Sequence, residues 1–146
     1  MLFRSPEIVP PLVEELAAWQ GDPRSLTIIS FKADTIAACK RALPAVRAHW
    51  LTSFKQDEAD APWKPTAETI TATVTSCGAD GVGLQGQRQV VDRAFVDRLT
   101  AGGVREFHVW TIDLPDDARA FRELGAVGIT TNRPAFIREC LAEPAP

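Results

Sequence analysis

Short apolar segments alternate with helical patterns along the chain, and this alternation limits the possible fold more than any other feature. Five segments are predicted as buried strands from their length and apolar content: residues 26–31, 47–52, 82–85, 106–112 and 127–131. Six segments in which apolar residues recur at the helical period surround them. Such alternation predicts parallel strands joined by helical crossovers, and hence an α/β fold.

Capping residues and glycines mark where the predicted helices begin and end. Asp34 and Asp92 stand where N-cap residues are expected, because their short polar side chains can accept from the first free backbone amides, and a helix is predicted to open at Thr66. Gly102 and Gly125 follow the last apolar positions of two helices, where glycine commonly ends a helix.

Two architectures fit this pattern: an open doubly wound sheet, and part of a (β/α)8 barrel. Periodicity does not separate them, because both place parallel strands between helices. A closed barrel needs eight strands and typically about 250 residues. The 146 residues of this chain therefore fall short of a closed barrel.

Composition narrows the range of partners and locations. The formal net charge of −3 argues against nucleic acid and against an anionic membrane surface. Charges or prolines interrupt every apolar run before it could cross a bilayer, so we expect no membrane insertion and a cytoplasmic protein. Cys39, Cys77 and Cys140 fall in predicted helices without metal-ligand spacing, and we expect free thiols. The oligomeric state stays open.

Residues 81–86 spell G-x-G-x-x-G, the pattern of a dinucleotide-binding loop. That loop requires its glycines after a strand, at the turn into a helix, so that backbone amides meet the pyrophosphate. Here the glycines fall within the predicted strand, and residues 87–91 separate them from the next helix. The pattern is therefore not interpreted as a nucleotide site.

The remaining candidate groups do not form a catalytic constellation in the sequence. Glu58 and Asp60 could hold a cation, but they lie in a polar loop and are better explained as a solvated charge cluster. His49 and His108 lie mid-strand between apolar neighbours, as expected for histidines of a core or a barrel lining. Trp110 differs, because it ends a predicted strand, and the carboxyl ends of barrel strands carry the ligand site.

The segment around Trp110 resembles a known family. Residues 109–113 read V-W-T-I-D, and residues 125–134 read G-A-V-G-I-T-T-N-R-P. Together they resemble the closing signature of the glycerophosphodiester phosphodiesterases, a V-W-T-V-N/D strand followed by G-V-D-G-I-I-T-D/N-x-P. The upstream segments 28–31 and 39–44 resemble the family's I-I-S-S-F strand and the helix that follows it. The resemblance implies the C-terminal portion of a TIM-type (β/α)8 barrel, with five parallel strands and six helices.

The resemblance also implies a function. Family members are metal-dependent hydrolases of lipid and phosphodiester metabolism, which cleave glycerophosphodiesters to glycerol 3-phosphate and an alcohol. A divalent cation, Mg²⁺ or Ca²⁺, is thus expected for the full-length enzyme. Trp110 matches the aromatic wall that contacts the glycerol moiety and is the one predicted substrate-binding residue. Asp113 and Asn132 match the motif, with structural roles.

The family's catalytic motifs are not matched in this chain. It has no H-R-G, no H-D and no E-x-K strand, and Glu58-x-Asp60 copies the letters of E-x-D in the wrong place. We therefore predict no catalytic residue and no metal ligand here, and a chain that is inactive alone. The alternative is a non-catalytic glycerophosphate-binding or partner-binding α/β module.

The family-like sequence begins at about residue 7. We expect residues 1–6 to be a non-native leader and residues 7–146 to be the partial barrel domain. A truncated reading frame is the corresponding hypothesis for the gene.

Overall fold

The structure, a computed structural model, describes residues 6–142. Most of the leader expected at residues 1–6 lies outside the described residues, so that expectation stays a prediction. The strands are β1 (Thr27–Ser30), β2 (Arg47–Thr52), β3 (Gly81–Gln85), β4 (Phe107–Trp110) and β5 (Gly128–Ile129). The helices are α1 (Val9–Ala18), α2 (Ala33–Ala42), α3 (Ala67–Cys77), α4 (Arg93–Ala101), α5 (Pro115–Glu123) and α6 (Pro134–Ala142). Short 3₁₀ turns cover Pro6–Ile8 and Pro23–Ser25.

The strand order decides between the two predicted architectures. All five strands are parallel, and each pairs with the next one along the chain, in the order β1-β2-β3-β4-β5. A doubly wound sheet reverses its strand order at a switch point, whereas a barrel adds each strand beside the previous one. The sheet is therefore a curled half-barrel, which confirms the predicted part of a TIM-type barrel.

One of the two predicted caps is confirmed and one is wrong, and the helix predicted to open at Thr66 is capped by that residue. Asp92 Oδ1 accepts from the Phe95 amide at 2.7 Å, and Thr66 Oγ1 accepts from the Thr69 amide at 3.3 Å. Helix α2 begins one residue before Asp34, which binds the next amide, that of Thr35, from within the first turn. The carboxylate still lies near the positive end of the helix, which explains why an acidic residue suits that place.

The two faces of the sheet differ in character. Alternate strand residues pack against the helices and form the core, among them Ile28, Ala48, Val82, Leu84, Phe107 and Val109. The residues between them point to the concave inner face, since successive side chains of a strand alternate. That inner face carries most of the polar side chains described below. Within residues 6–142, no helix is long and apolar enough to cross a membrane.

Candidate functional site

Trp110 ends β4 on the inner face, at the carboxyl edge of the sheet. Its indole N–H donates to the carbonyl oxygen of Gly83 on β3 at 3.0 Å. The ring of Phe31, which follows β1, meets the indole edge to face, with centroids 5.4 Å apart and planes at 87°. Strands β1 and β4 are not neighbours, so this contact depends on the curl of the sheet. Together the two rings form an aromatic wall whose Phe31 side is about half exposed.

Asp113 joins the loop after β4 to the loop after β5. Its carboxylate accepts from the Thr131 hydroxyl at 2.9 Å, and from the Asn132 backbone and side-chain amides, both at 2.8 Å. These bonds, first that from the Asn132 side chain, hold the pKa of the Asp113 carboxyl below its usual range. The arrangement supports the structural roles expected for Asp113 and Asn132, because it clamps the loop that follows Trp110.

The Asp113 clamp yields a test by hydrogen exchange. We expect the Asn132 backbone amide of Asp113→Ala to exchange roughly tenfold faster than in the parent chain, since a charge-assisted bond is lost. Asp113→Asn is the matched control, because it keeps an acceptor for that amide and should change its exchange rate much less. Equal exchange rates in all three chains would show that the loops are held by other contacts.

A second group of inner-face residues lies below the aromatic wall, towards the amino ends of the strands. His49 Nδ1 and His108 Nδ1 are 2.8 Å apart, and both rings are buried. His49 Nε2 lies 3.0 Å from Glu106 Oε1, which the Arg47 guanidinium also contacts at 3.0 Å. This confirms the histidines as lining residues of the barrel. Sequence reasoning missed Arg47 and Glu106, although each lies two residues before a histidine and so on the same face.

The glycines of the G-x-G-x-x-G pattern make room for this group. Gly81 and Gly83 lie within β3, as expected from the sequence. A Cβ atom on Gly81 would come closer than 3.0 Å to His49 Nε2, and one on Gly83 would come closer than 3.0 Å to the His108 ring. The pattern therefore serves side-chain packing on the inner face.

A divalent cation does not fit the residues that the structure describes. Across residues 6–142, no group of three or more histidine, cysteine, aspartate or glutamate side chains could hold a metal ion. Glu58 and Asp60 are exposed in the loop after β2. The nearest approach to a ligand set, His49, His108 and Glu106, is already engaged in mutual contacts.

The fold and this site define the class of protein: part of a TIM-type barrel that carries an aromatic wall at the carboxyl edge of its parallel strands. The sequence profile of the Glycerophosphoryl diester phosphodiesterase family matches residues 5–136. The chain belongs to this family. No curated protein sequence matches it at a significant level.

Solved structures of phosphodiesterases share the fold. An Oleispira antarctica phosphodiesterase, solved with the product sn-glycerol-3-phosphate, has a TM-score of 0.73 at 16% identity, over 94% of this chain and 50% of its own. A Silicibacter pomeroyi DSS-3 protein, assigned as a glycerophosphoryl diester phosphodiesterase, has a TM-score of 0.71 at 20% identity. The match covers 93% of this chain and 43% of the other. The Thermotoga maritima glycerophosphodiester phosphodiesterase has a TM-score of 0.63 at 16% identity, and the match covers 92% of this chain and 54% of the other. The chain thus spans about half the length of the structures it matches.

Proposed function

We propose that this chain forms the carboxyl-terminal half of a glycerophosphodiester phosphodiesterase barrel. The whole enzyme would hydrolyse glycerophosphodiesters to glycerol 3-phosphate and an alcohol, within lipid and phosphodiester metabolism. The placement of Trp110 carries the proposal: the indole lies at the carboxyl edge of β4, where barrel enzymes bind their ligands. Its bond to Gly83 and its contact with Phe31 hold the ring in one orientation. The cytoplasmic location expected from the sequence stays a prediction.

Trp110 would bind the glycerol moiety, and the reacting groups would come from elsewhere in the barrel. A flat, fixed aromatic face suits the C–H groups of glycerol, because it offers apolar area without losing side-chain freedom on binding. A divalent cation, Mg²⁺ or Ca²⁺, would polarise the phosphate when bound. Neither its ligands nor the acid–base histidines of the family motifs can be matched in this sequence, so we expect the chain alone to be inactive.

The proposal is tested with the purified chain and two substitutions. We expect no release of glycerol 3-phosphate from glycerophosphocholine, and weak binding of glycerol 3-phosphate by isothermal titration calorimetry. Trp110→Ala should weaken that binding about tenfold, whereas Trp110→Phe, the matched control, should retain most of it. Hydrolysis by the parent chain that a chelator abolishes would overturn the expected inactivity. Equal binding by the alanine variant would remove Trp110 from the site.

The genomic sequence upstream of Met1 separates the enzyme from the alternative. A reading frame that continues into H-R-G, E-x-D, H-D and E-x-K motifs supports the phosphodiesterase. A stop codon followed by a genuine initiation site contradicts it. A non-catalytic glycerophosphate-binding module would then be the better proposal, since it needs the Trp110 wall and no cation.

A further inference from the structure

The buried histidine pair has no part in the proposed function. His49 and His108 are the two histidines of the chain, and they come from β2 and β4, on either side of β3. Their rings are stacked, with centroids 5.1 Å apart and planes at 23°. The relative exposure of the whole residue is 1% for His49 and 8% for His108, so any proton that the pair binds must be held by its immediate neighbours.

The neighbours of the pair determine where its hydrogens lie. The Glu106 carboxylate pairs with the Arg47 guanidinium and can therefore only accept, so His49 Nε2 carries a hydrogen and donates to Glu106. A neutral His49 then has a lone pair on Nδ1. His108 Nδ1 must accordingly donate across the 2.8 Å contact, which leaves His108 Nε2 with a lone pair.

One added proton leaves this contact intact. His108 Nε2 can take the proton while the hydrogen between the two Nδ1 atoms moves to His49. The positive charge then lies on His49, beside the Glu106 carboxylate. A second proton places a hydrogen on both Nδ1 atoms, so that neither can accept, and two cations face each other.

We propose that His49 and His108 form a proton-operated latch: with no proton or one proton added the rings stay joined, and a second proton separates them. Separation of the two histidine rings would displace the aromatic wall, because both His108 and Trp110 contact Gly83. The His108 ring occupies the space where Gly83 lacks a Cβ, and the Gly83 carbonyl holds the Trp110 indole. The latch would thus couple acid pH to the orientation of the aromatic wall.

The charges around the pair support this assignment. The inner face presents Thr27 and Ile29 from β1, Gly81 and Gly83 from β3, and Gly128 and Thr130 beside His108, on β5 and just after it. Among the described residues, Arg47 and Glu106 are the charged groups beside the rings, and Arg24 and the Lys40–Asp80 ion pair border those two from the amino-terminal side. A second positive charge on the pair therefore has one nearby carboxylate, which His49 already occupies.

The expected pH dependence follows from His108. Burial, and next the charge of His49, lower the pKa of His108 from 6.5 to about 4, and Glu106 opposes them in part. A lowered pKa means that the unfolded chain binds the proton more readily than the folded one. The contribution of neutral His108 to the free energy of unfolding is therefore complete above pH 6.5 and is lost as the pH falls towards about 4.

Nuclear magnetic resonance of the ¹⁵N-labelled native chain tests the latch. At neutral or weakly alkaline pH we expect His49 to carry its hydrogen on Nε2 and His108 on Nδ1. On acidification, the Trp110 indole N–H resonance should shift in the step in which the pair takes its second proton and both rings become cations, and not in the step of the first proton. His108 found with its hydrogen on Nε2 while His49 is neutral would overturn the proposal. So would a pair that takes two protons while the Trp110 resonance stays unchanged.

His108→Asn is the matched variant. Its amide can donate to a neutral His49 Nδ1 or, turned over, accept from a charged one, and it takes no proton, so no second cation forms beside His49 and the acid transition of the Trp110 resonance should be lost. An unchanged transition would overturn the latch. If the variant does not fold, the native spectra alone decide. All of these outcomes are independent of hydrolysis and of glycerol 3-phosphate binding, so the latch can fail while the proposed function stands.

Discussion

Replacing Gly83 with alanine is expected to destabilise the fold by about 3 kcal/mol, because the added methyl group has no room on the inner face. Its Cβ would overlap with the Leu51 side chain and the His108 ring, both of them buried. The Leu51 methyl group can rotate away, but the His108 ring is fixed by the 2.8 Å hydrogen bond between its Nδ1 and His49 Nδ1. Accommodating the methyl group therefore breaks that bond or displaces β3. Urea denaturation of the two chains measures the difference.

Gly128→Ala is the matched control for Gly83→Ala. Gly128 lies on the opposite side of His108, and the nearest atom to its added Cβ would be His108 Cβ at 3.5 Å, an ordinary contact. We expect a change within about 0.5 kcal/mol, since alanine also restricts the unfolded chain. Equal losses in the two variants would mean that glycine is needed in both strands for backbone reasons. A small loss in Gly83→Ala would mean that the inner face is loosely packed.

The number of strands and their approximate positions along the chain could be predicted from the sequence, because these depend on local patterns. Arg47–Thr52 agrees with the predicted second strand, and the crossover helices follow from apolar periodicity and caps such as Asp92. The ends of the later strands were less predictable. Residues 106–112 were expected as one strand, whereas β4 covers Phe107–Trp110, since backbone pairing depends on neighbours that the local pattern does not describe.

The choice between barrel and open sheet needed information beyond local pattern. Both architectures use the same βα units, and they differ in where each strand is placed, which is a long-range property. The resemblance around Trp110 favoured the barrel, and the sequential strand order confirms it. Phe31 was not predicted beside Trp110, because β1 and β4 meet only across the curled face.

The inner-face charges show the same limit. The spacing of Arg47 and His49, and of Glu106 and His108, places each pair on one face of its strand. The register between strands then decides which groups meet: His49 pairs with Gly81, and Gly83 with His108. That register cannot be obtained from either strand alone, so the sequence indicated lining histidines without their partners.

The packing beneath the carboxyl edge leads to the second large effect. Phe121 of α5 is fully buried in the main core, and its ring lies beside Gly86, which follows β3. Ile112, two residues after Trp110, borders the same space. The Phe121 ring therefore supports the carboxyl ends of β3 and β4. Strand β3 supplies the Gly83 carbonyl that fixes the indole, and β4 supplies Trp110 itself.

Phe121→Ala is expected to lower the free energy of unfolding by about 4 kcal/mol, because a fully buried ring is replaced by a cavity. Phe136→Ala is the matched control: its ring is 37% exposed and stacks on the Arg133 guanidinium at 3.9 Å. That variant should lose less than about 1 kcal/mol, and urea denaturation measures the free energy of unfolding of both variants.

The Trp110 indole N–H resonance reports whether the aromatic wall keeps its orientation in Phe121→Ala. Since Phe121 acts from beneath the strand ends, its variant should broaden or shift that resonance even under conditions where the chain stays folded. A native Trp110 signal in a destabilised Phe121→Ala chain would show that the wall is held by Gly83 and Phe31 alone.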